Sequence, residues 1–461
     1  MSAITFDNYS SGLDVRKGAS VSDANRLRVL DNCYVTTGKT IRKRPGLTVF
    51  ANLEYGTVGL KSAGGKLNTF YSQGTVTHAD SRFVANKIAH PTTPLDLTKI
   101  HYADSFNGYI YVAAEYVGGD IKHHYLDGAS PTHIADVNCP NTSSVAKKAS
   151  KIFAVKDDVV RFCKTSTPRD WTTASDAGFL GVGTQQSGVT NPTALGEYAG
   201  NLVVFFKDSA QVWTVDPDPA KMTFVQGLDV GCPYPKGAAN MAGDVFFASY
   251  DGIRSITTQS TTGNMIDVDV GSPIDGLIKP SLLANSEVKA FYFRGGGQYW
   301  AMIGDSAYVY SFSRTSKISA WSKYTFPFEI DDVTELDGDL YFRSGNSVFL
   351  FNENAYNDAG NLFDVKIEFP YLDFKTPGVM KLIQGMDTVM IGDATMQIKF
   401  DARNPEFITP ETQMTGDTRP GEMTAVEVCS VGIAPVVISR NDEPFELHAM
   451  TFYFSPLGAI S

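Results

Sequence analysis

The feature of this sequence that most restricts its fold is an internal repeat. Each copy contains a glycine or its substitute, a short apolar strand, a polar turn and a second short strand. Seven marker positions carry the pattern at a mean spacing of about 45 residues, the period of a four-stranded propeller blade. The markers are Gly65, Gly108, Lys151, Gly200, Gly243, Gly297 and Gly338, with lysine in the place of glycine at 151.

This repeat predicts an all-β fold built around a closed β-propeller. Its strands are rich in Val, Ile, Phe and Tyr and are bounded by Gly, Asp, Asn and Ser, as is typical of hairpins. The chain has 29 Phe and 21 Tyr, which suits closely packed blades. Seven markers indicate about seven blades, or six if the outermost unit belongs elsewhere. A series of β-sandwiches is the alternative, but it would not require a regular period.

Changes in the pattern along the chain predict three regions. Residues 1–55 form an N-terminal docking extension, residues 56–361 form the propeller, and residues 362–461 form a small C-terminal β domain with longer strands. Within that domain, residues 403–422 are rich in Pro, Thr and Gly, which predicts a long mobile loop.

Composition and charge exclude several classes of protein. The formal net charge is −11, which argues against a general nucleic-acid binder. The charge is uneven, because residues 1–47 hold eight Lys/Arg and four Asp/Glu, whereas residues 401–461 hold three and nine. The sequence contains no apolar run of about 20 residues and no secretory signal, so we expect no membrane span. Its five scattered cysteines argue against a disulfide framework and indicate synthesis in a cytosol.

No motif in the sequence indicates catalysis. The acidic pairs Asp157-Asp158, Asp331-Asp332 and Asp442-Glu443 consist of neighbours, which point to opposite faces of a strand, and we interpret them as turn residues. For the same reason His123 and His124 cannot share one metal ion. A phosphate-binding loop and a serine nucleophile elbow are both missing. We therefore predict that the protein is not an enzyme and has no catalytic residues, cofactor or metal site.

The densest group of cations lies near the N-terminus. Residues 18–32, "GASVSDANRLRVLDN", predict a short helix capped by Ser20 or Ser22. The following residues, 33–50, predict a strand, a glycine turn and a second strand. Because side chains alternate along a strand, the charges of this cluster should splay over both faces, which suits docking into a protein groove better than packing in a core. The predicted docking residues are Arg42, Lys43, Arg44, Pro45 and Gly46; the alternative is a solvated cationic turn.

The stretch from Gly12 to Leu47 resembles the opening of the tail nozzle (hub) proteins of short-tailed bacteriophages, also called packaged-DNA stabilisation or tail tubular proteins. The resemblance extends loosely over the propeller and to the closing "FELHAMTFYF". The resemblance is to the compact members of that family, since the chain is too short for the platform and tip domains that larger relatives carry. The matching residues are Gly12, Leu13, Asn32, Gly38, Arg42, Arg44, Pro45, Gly46 and Leu47.

The resemblance implies a structural virion protein of the phage tail that is made in the cytoplasm of the host bacterium. Such a protein forms a homohexameric ring below the portal and adaptor ring, contacts tail fibre or tail needle/plug proteins, and helps to retain packaged DNA until ejection. Double-stranded DNA then passes through the lumen without sequence-specific binding. The alternative function is that of a glycan-binding or glycan-degrading surface propeller.

The expected DNA conduit sets a condition on charge. A strongly basic lumen would bind phosphates and slow ejection, so the sequence and the resemblance together predict a mainly acidic wall. The candidate lumen acids are Asp157, Asp158, Asp331 and Asp332.

Overall fold

A computed structural model describes residues 2–128, 131–185, 188, 191–258, 269–415 and 423–459. Seven small sheets surround a common axis as the blades of a propeller, and two further groups of strands form a sandwich beside it. The predicted all-β fold is therefore confirmed, and the number of blades is seven. None of the helices in the described ranges has the length and apolar character needed to cross a membrane.

Short strands from the N-terminal residues join several different sheets. They are β1 (Ser2–Phe6), β2 (Val29–Asp31), β3 (Cys33–Val35), β4 (Ile41–Lys43) and β5 (Gly46–Asn52).

Each blade begins with its innermost strand and continues outward by antiparallel pairing, except in blade 1, where β8 pairs parallel with β7. Blade 1 contains β6 (Val58–Ala63), β7 (Lys66–Tyr71) and β8 (Phe83–Lys87). Blade 2 contains β9 (Leu97–Phe106), β10 (Tyr109–Tyr116), β11 (Asp120–Leu126) and β12 (Pro131–His133). Blade 3 contains β13 (Val145–Lys148), β14 (Lys151–Lys156), β15 (Val159–Phe162) and β16 (Gly178–Leu180). Blade 4 contains β17 (Ala194–Tyr198), β18 (Asn201–Phe205), β19 (Ala210–Thr214) and β20 (Thr223–Leu228). Blade 5 contains β21 (Ala238–Met241), β22 (Asp244–Ser249) and β23 (Gly252–Ser255). Blade 6 contains β24 (Lys289–Phe293), β25 (Gln298–Ile303), β26 (Ser306–Ser313) and β27 (Ile318–Thr325). Blade 7 contains β28 (Asp332–Leu336), β29 (Asp339–Ser344) and β30 (Ser347–Asn352).

Few helices accompany these strands. Helix α1 (Asp275–Ala284) packs on β23 and takes the place of an outer strand in blade 5. Single 3-10 turns occur at Val182–Gln185, Pro219–Lys221 and Ser272–Ile274.

The repeat markers lie where the sequence predicted, beside the first hairpin of each blade. In five blades the turn between the first and second strands has two residues with positive φ, as a type I′ turn requires. These turns are Gly64-Gly65, Asn107-Gly108, Ala199-Gly200, Ala242-Gly243 and Asp337-Gly338. In blade 3, Ala149 and Ser150 adopt the positive φ values instead, and Lys151 begins the next strand with its Nζ buried 2.5 Å from Oδ1 of Asp176.

The N-terminal part of the chain closes the ring of blades. Strand β5 pairs antiparallel with β30 and becomes the outermost full-length strand of blade 7, and the innermost strands β28 and β6 lie side by side. The expected boundary at residue 55 places β5 in the N-terminal extension, although in the structure β5 completes blade 7 of the propeller.

The C-terminal residues form a sandwich that is continuous with the propeller. Strand β2 pairs with β27 of blade 6 and with β33, so one nine-stranded sheet runs from blade 6 into the sandwich. Strands β1 and β4 pair with β39 in the second sheet. The remaining strands are β31 (Asn357–Asp358), β32 (Asn361–Leu362), β33 (Val365–Glu368), β34 (Val379–Ile391), β35 (Asp393–Lys399), β36 (Thr412–Thr415), β37 (Thr424–Ser430), β38 (Ala434–Ser439) and β39 (Glu446–Ala459).

The segments 18–32 and 403–422 each contain a strand that the sequence did not predict. The helix predicted over residues 18–32 is wrong, because the segment forms turns and then β2, and Leu27 exchanges backbone hydrogen bonds with Gly12 and Asp14. Long-range pairing therefore overrides the local helical pattern. The predicted mobile loop at 403–422 contains β36, which pairs with β35, whereas residues 416–422 lie outside the described residues.

Candidate functional site

The cationic segment at the end of β4 surrounds a buried arginine. The side chain of Arg44 is fully buried and forms a bidentate ion pair with Asp358, with Nη1–Oδ1 at 2.9 Å and Nη2–Oδ2 at 2.5 Å. Its other N–H groups donate to the side chain of Asn32 and to the backbone carbonyls of Pro45 and Thr325. All five donors of the guanidinium are therefore satisfied, which a buried charge needs.

An aromatic ring covers the same guanidinium. Its central carbon lies 3.7 Å from the ring centroid of Phe363, close enough for a cation–π contact. Asp358 also accepts a hydrogen bond from the backbone N–H of Leu47. We call this group, Asn32, Arg44, Asp358 and Phe363, the N-terminal junction. It joins the entry of the chain into β5, the end of blade 6 and the first residues after blade 7.

Only part of the cationic cluster is exposed, so the expectation that its charges splay over both faces of a strand rather than pack in a core is wrong for Lys43 and Arg44, which are both buried. Lys43 is buried, with its Nζ 2.6 Å from the carbonyl oxygen of Asn441, and burial lowers its pKa to about 8. Arg42 is exposed, and its Nε lies 2.7 Å from Oε2 of Glu446. Strand β4 ends at Lys43, so the strand alternation used for the prediction does not continue to Arg44.

The predicted docking residues therefore serve contacts within the chain. Pro45 is partly buried, and Gly46 is buried beside the backbone of Asn357. Among the five, Arg42 alone offers a charged group to another subunit, and its docking role stays a prediction.

The four candidate lumen acids occupy two different environments. Asp157 and Asp158 are exposed in the turn between β14 and β15. Asp331 is half-buried, and its Oδ2 accepts a hydrogen bond from the backbone N–H of Gly345. Asp332 is buried and forms ion pairs with Lys61 at 2.9 Å and with Arg343 at 2.7 Å. All four lie on the face where the innermost strands begin, which we call the front face.

A cavity of about 290 Å³ lies on the propeller axis toward the front face, and we call it the axial cavity. Residues from all seven blades line it, which fixes its position. The lining side chains that carry polar or charged groups include Lys61, His101, Ser144, Lys236, Lys289, Asp331 and Asp332.

An ion pair spans the axis beside this cavity. Lys99 of blade 2 donates to both carboxylate oxygens of Glu287, which precedes β24 of blade 6, at 2.8 and 2.9 Å. Blades 2 and 6 are not neighbours in a seven-bladed ring, so this pair crosses the central channel. The propeller axis is thus a closed space rather than a passage for a large molecule.

Lys236 is only weakly compensated in this cavity. Its Nζ lies 3.9 Å from Glu287, whose carboxylate already accepts two hydrogen bonds from Lys99. Burial, together with the nearby charges of Lys61 and Lys99, lowers the pKa of Lys236 to about 7. The pKa of Glu287 is lowered although burial alone would raise it, because Lys99 donates to it and Lys289 lies near.

The low pKa of Lys236 predicts a pH-dependent stability. Between pH 7 and about 10.4, the unfolded chain binds a proton that the folded chain does not, so the folded state gains stability as pH rises. Compared with Lys236→Met, the wild-type protein should therefore gain on the order of 4–5 kcal/mol over this window and none below pH 7. Urea unfolding at several pH values measures the difference, and a constant difference would contradict the prediction.

A larger cleft of about 830 Å³ lies between blades 1 and 2. Its polar groups satisfy one another: the amide of Asn86 donates to Asn68 at 3.0 Å, and Nε2 of His124 lies 3.0 Å from the hydroxyl of Tyr116. His123 bonds instead to the hydroxyl of Tyr111, so the two adjacent histidines have separate partners. None of the described residues that line this cleft is an Asp or a Glu.

Sequence reasoning missed the axial cavity. The signal was present, because lysines recur shortly before the marker turns of several repeats, at 61, 99, 236 and 289. Within the described ranges, no three His, Cys, Asp or Glu side chains are grouped closely enough to hold a metal ion.

Comparisons with known proteins add little. No protein-family model matches the chain, and no curated protein matches it. One similar solved structure is titled "Crystal Structure of Mitotic Checkpoint Complex"; it covers 76% of this chain and 94% of that chain at 10% identity, with a TM-score of 0.37. A likeness that weak carries no argument about function.

Proposed function

We propose that the protein is a structural subunit of the tail of a short-tailed bacteriophage, a nozzle or hub protein that forms a closed ring below the portal and adaptor. Six copies enclose the DNA conduit and help to retain the packaged genome until ejection. The ring contacts tail fibre or needle/plug proteins at its distal side. In this proposal the protein has no enzymatic activity.

The observation that carries the proposal is the structural role of the resembling N-terminal residues. Gly12 has φ +57°, and a Cβ there would lie 2.7 Å from the carbonyl oxygen of Trp321 in blade 6. Asn32 and Arg44 form the N-terminal junction, and Gly46 makes the close approach to the backbone of Asn357. The residues that match the family thus hold the propeller and the sandwich together, which supports a shared architecture.

The closed propeller axis supports a ring of subunits. A DNA duplex is far wider than a gap that one Lys99–Glu287 pair can span. A conduit built from this protein therefore has to lie between subunits arranged around a rotational axis, as closed cyclic assemblies allow. Exposed apolar side chains on the sandwich, such as Val389 and Ile391 on one face of β34, are candidates for the contacts between subunits.

The acids do not favour the alternative of a glycan-degrading propeller. Glycosidases need two carboxyl groups, one of which has a raised pKa so that it can act as a general acid. In the axial cavity, the ion pairs with Lys61 and Arg343 hold the pKa of Asp332 well below its usual range, although burial alone would raise it. An acid held in its charged form is poorly suited to donate a proton.

Electron microscopy of intact particles tests the proposal. We expect six copies of this chain in one layer of the tail, with the conduit between subunits and each propeller axis outside it. Quantitative mass spectrometry of the same particles should give six copies per portal ring. A single copy per particle, or depolymerisation of a bacterial surface polysaccharide by the purified chain, would overturn the proposal.

A further inference from the structure

The axial cavity carries more positive than negative charge. Five cations, Lys61, Lys99, Lys236, Lys289 and Arg343, surround it or contact its acids. The carboxylates that face them are Asp331, Asp332 and Glu287. Five cations against three carboxylates leave a formal excess of two positive charges when Lys236 is protonated. Asp332 and Glu287 therefore each pair with more than one cation.

We propose that the axial cavity binds a small, doubly charged oxyanion of the phosphate or sulfate class, held by Lys236 and Lys61. The anion compensates the charge of Lys236, which Glu287 alone reaches only at 3.9 Å. The volume of about 290 Å³ is at the lower end of the range for small-molecule pockets, which excludes a nucleic acid or a peptide. Bound there, the anion ties together blades that are not neighbours in sequence.

Isothermal titration calorimetry of the purified full-length chain with sodium sulfate tests the inference, because the charge of sulfate is constant across the useful pH range. We expect saturable binding with one site per chain at pH 6.5. Lys236→Met should weaken the affinity by more than about ten-fold. Lys221→Met is the matched control, because Lys221 is exposed and pairs only with exposed Asp218 at 3.8 Å.

The pH dependence separates this site from general stabilisation by salt. Raising the pH from 6.5 to 9 should weaken sulfate binding, since Lys236, whose pKa is lowered to about 7, loses its proton. Asp332 and Glu287, whose pKa values are lowered, stay charged over this range, and burial lowers the pKa of His101, which also lines the cavity. Lys236→Arg should retain binding and lose most of this pH dependence. The inference is overturned if wild-type protein shows no saturable binding, or if Lys236→Met binds sulfate as the wild-type protein does. Binding of citrate without binding of sulfate or phosphate would overturn the ligand class.

Discussion

Replacing Arg44 with Met is expected to destabilise the protein by about 3–5 kcal/mol, the usual effect of removing one partner of a buried ion pair. The substitution leaves the carboxylate of Asp358 buried without its cation and leaves the carbonyl of Thr325 without its donor. It also removes the cation–π contact with Phe363. Urea unfolding followed by tryptophan fluorescence measures the change, because Trp300 and Trp321 lie in the adjacent blade 6.

Two further variants make this prediction specific. Asp358→Asn should have a loss of similar size, and the double variant Arg44→Met/Asp358→Leu should lose less than the sum of the two, because no unpaired charge then remains. Arg42→Met is the matched control, since its exposed pair with Glu446 should contribute less than about 1 kcal/mol. If Arg44→Met and Arg42→Met were equally mild, the N-terminal junction would have no special role in stability.

The sequence predicted those parts of the fold that local chemistry determines. The turn between the first two strands of a blade needs positive φ at two adjacent residues, and pairs such as Asn107-Gly108 and Asp337-Gly338 show this need directly in the sequence. The alternation of short apolar strands and polar turns then gives the number of blades. These signals lie within about ten residues of each other, so no knowledge of distant contacts is required.

Long-range partners explain the features that the sequence did not predict. Arg44 looks like an exposed cation until Asp358, 314 residues away, provides its counter-charge. The pattern around Leu27 suits a helix, but Gly12 and Asp14 pair with its backbone. Similarly, the lysines of the axial cavity come from separate repeats and meet only because the blades share one axis. A single sequence does not reveal such pairings.

The second large effect is expected at Gly46, next to the N-terminal junction. A Cβ at this position would lie 2.1 Å from the carbonyl oxygen of Asn357 and 2.9 Å from its backbone nitrogen. Both atoms belong to the backbone, and the N–H of Gly46 donates to the carbonyl oxygen of Ala355 at 2.7 Å. The chain around β31 therefore has little freedom to move away from an added methyl group.

Gly46→Ala should consequently destabilise the protein by about 3 kcal/mol or more, because overpacking against a fixed backbone forces the chain to shift. The shift would also move Asp358, one residue beyond Asn357, away from Arg44 and expose residues 352–364 to hydrogen exchange. Gly38→Ala is the control, since a Cβ there meets the hydroxyl of Thr36 only at 3.5 Å. That variant should keep wild-type stability and exchange. If Gly46→Ala also kept wild-type stability and hydrogen exchange, the close packing of β5 on β31 would not explain the glycine at this position.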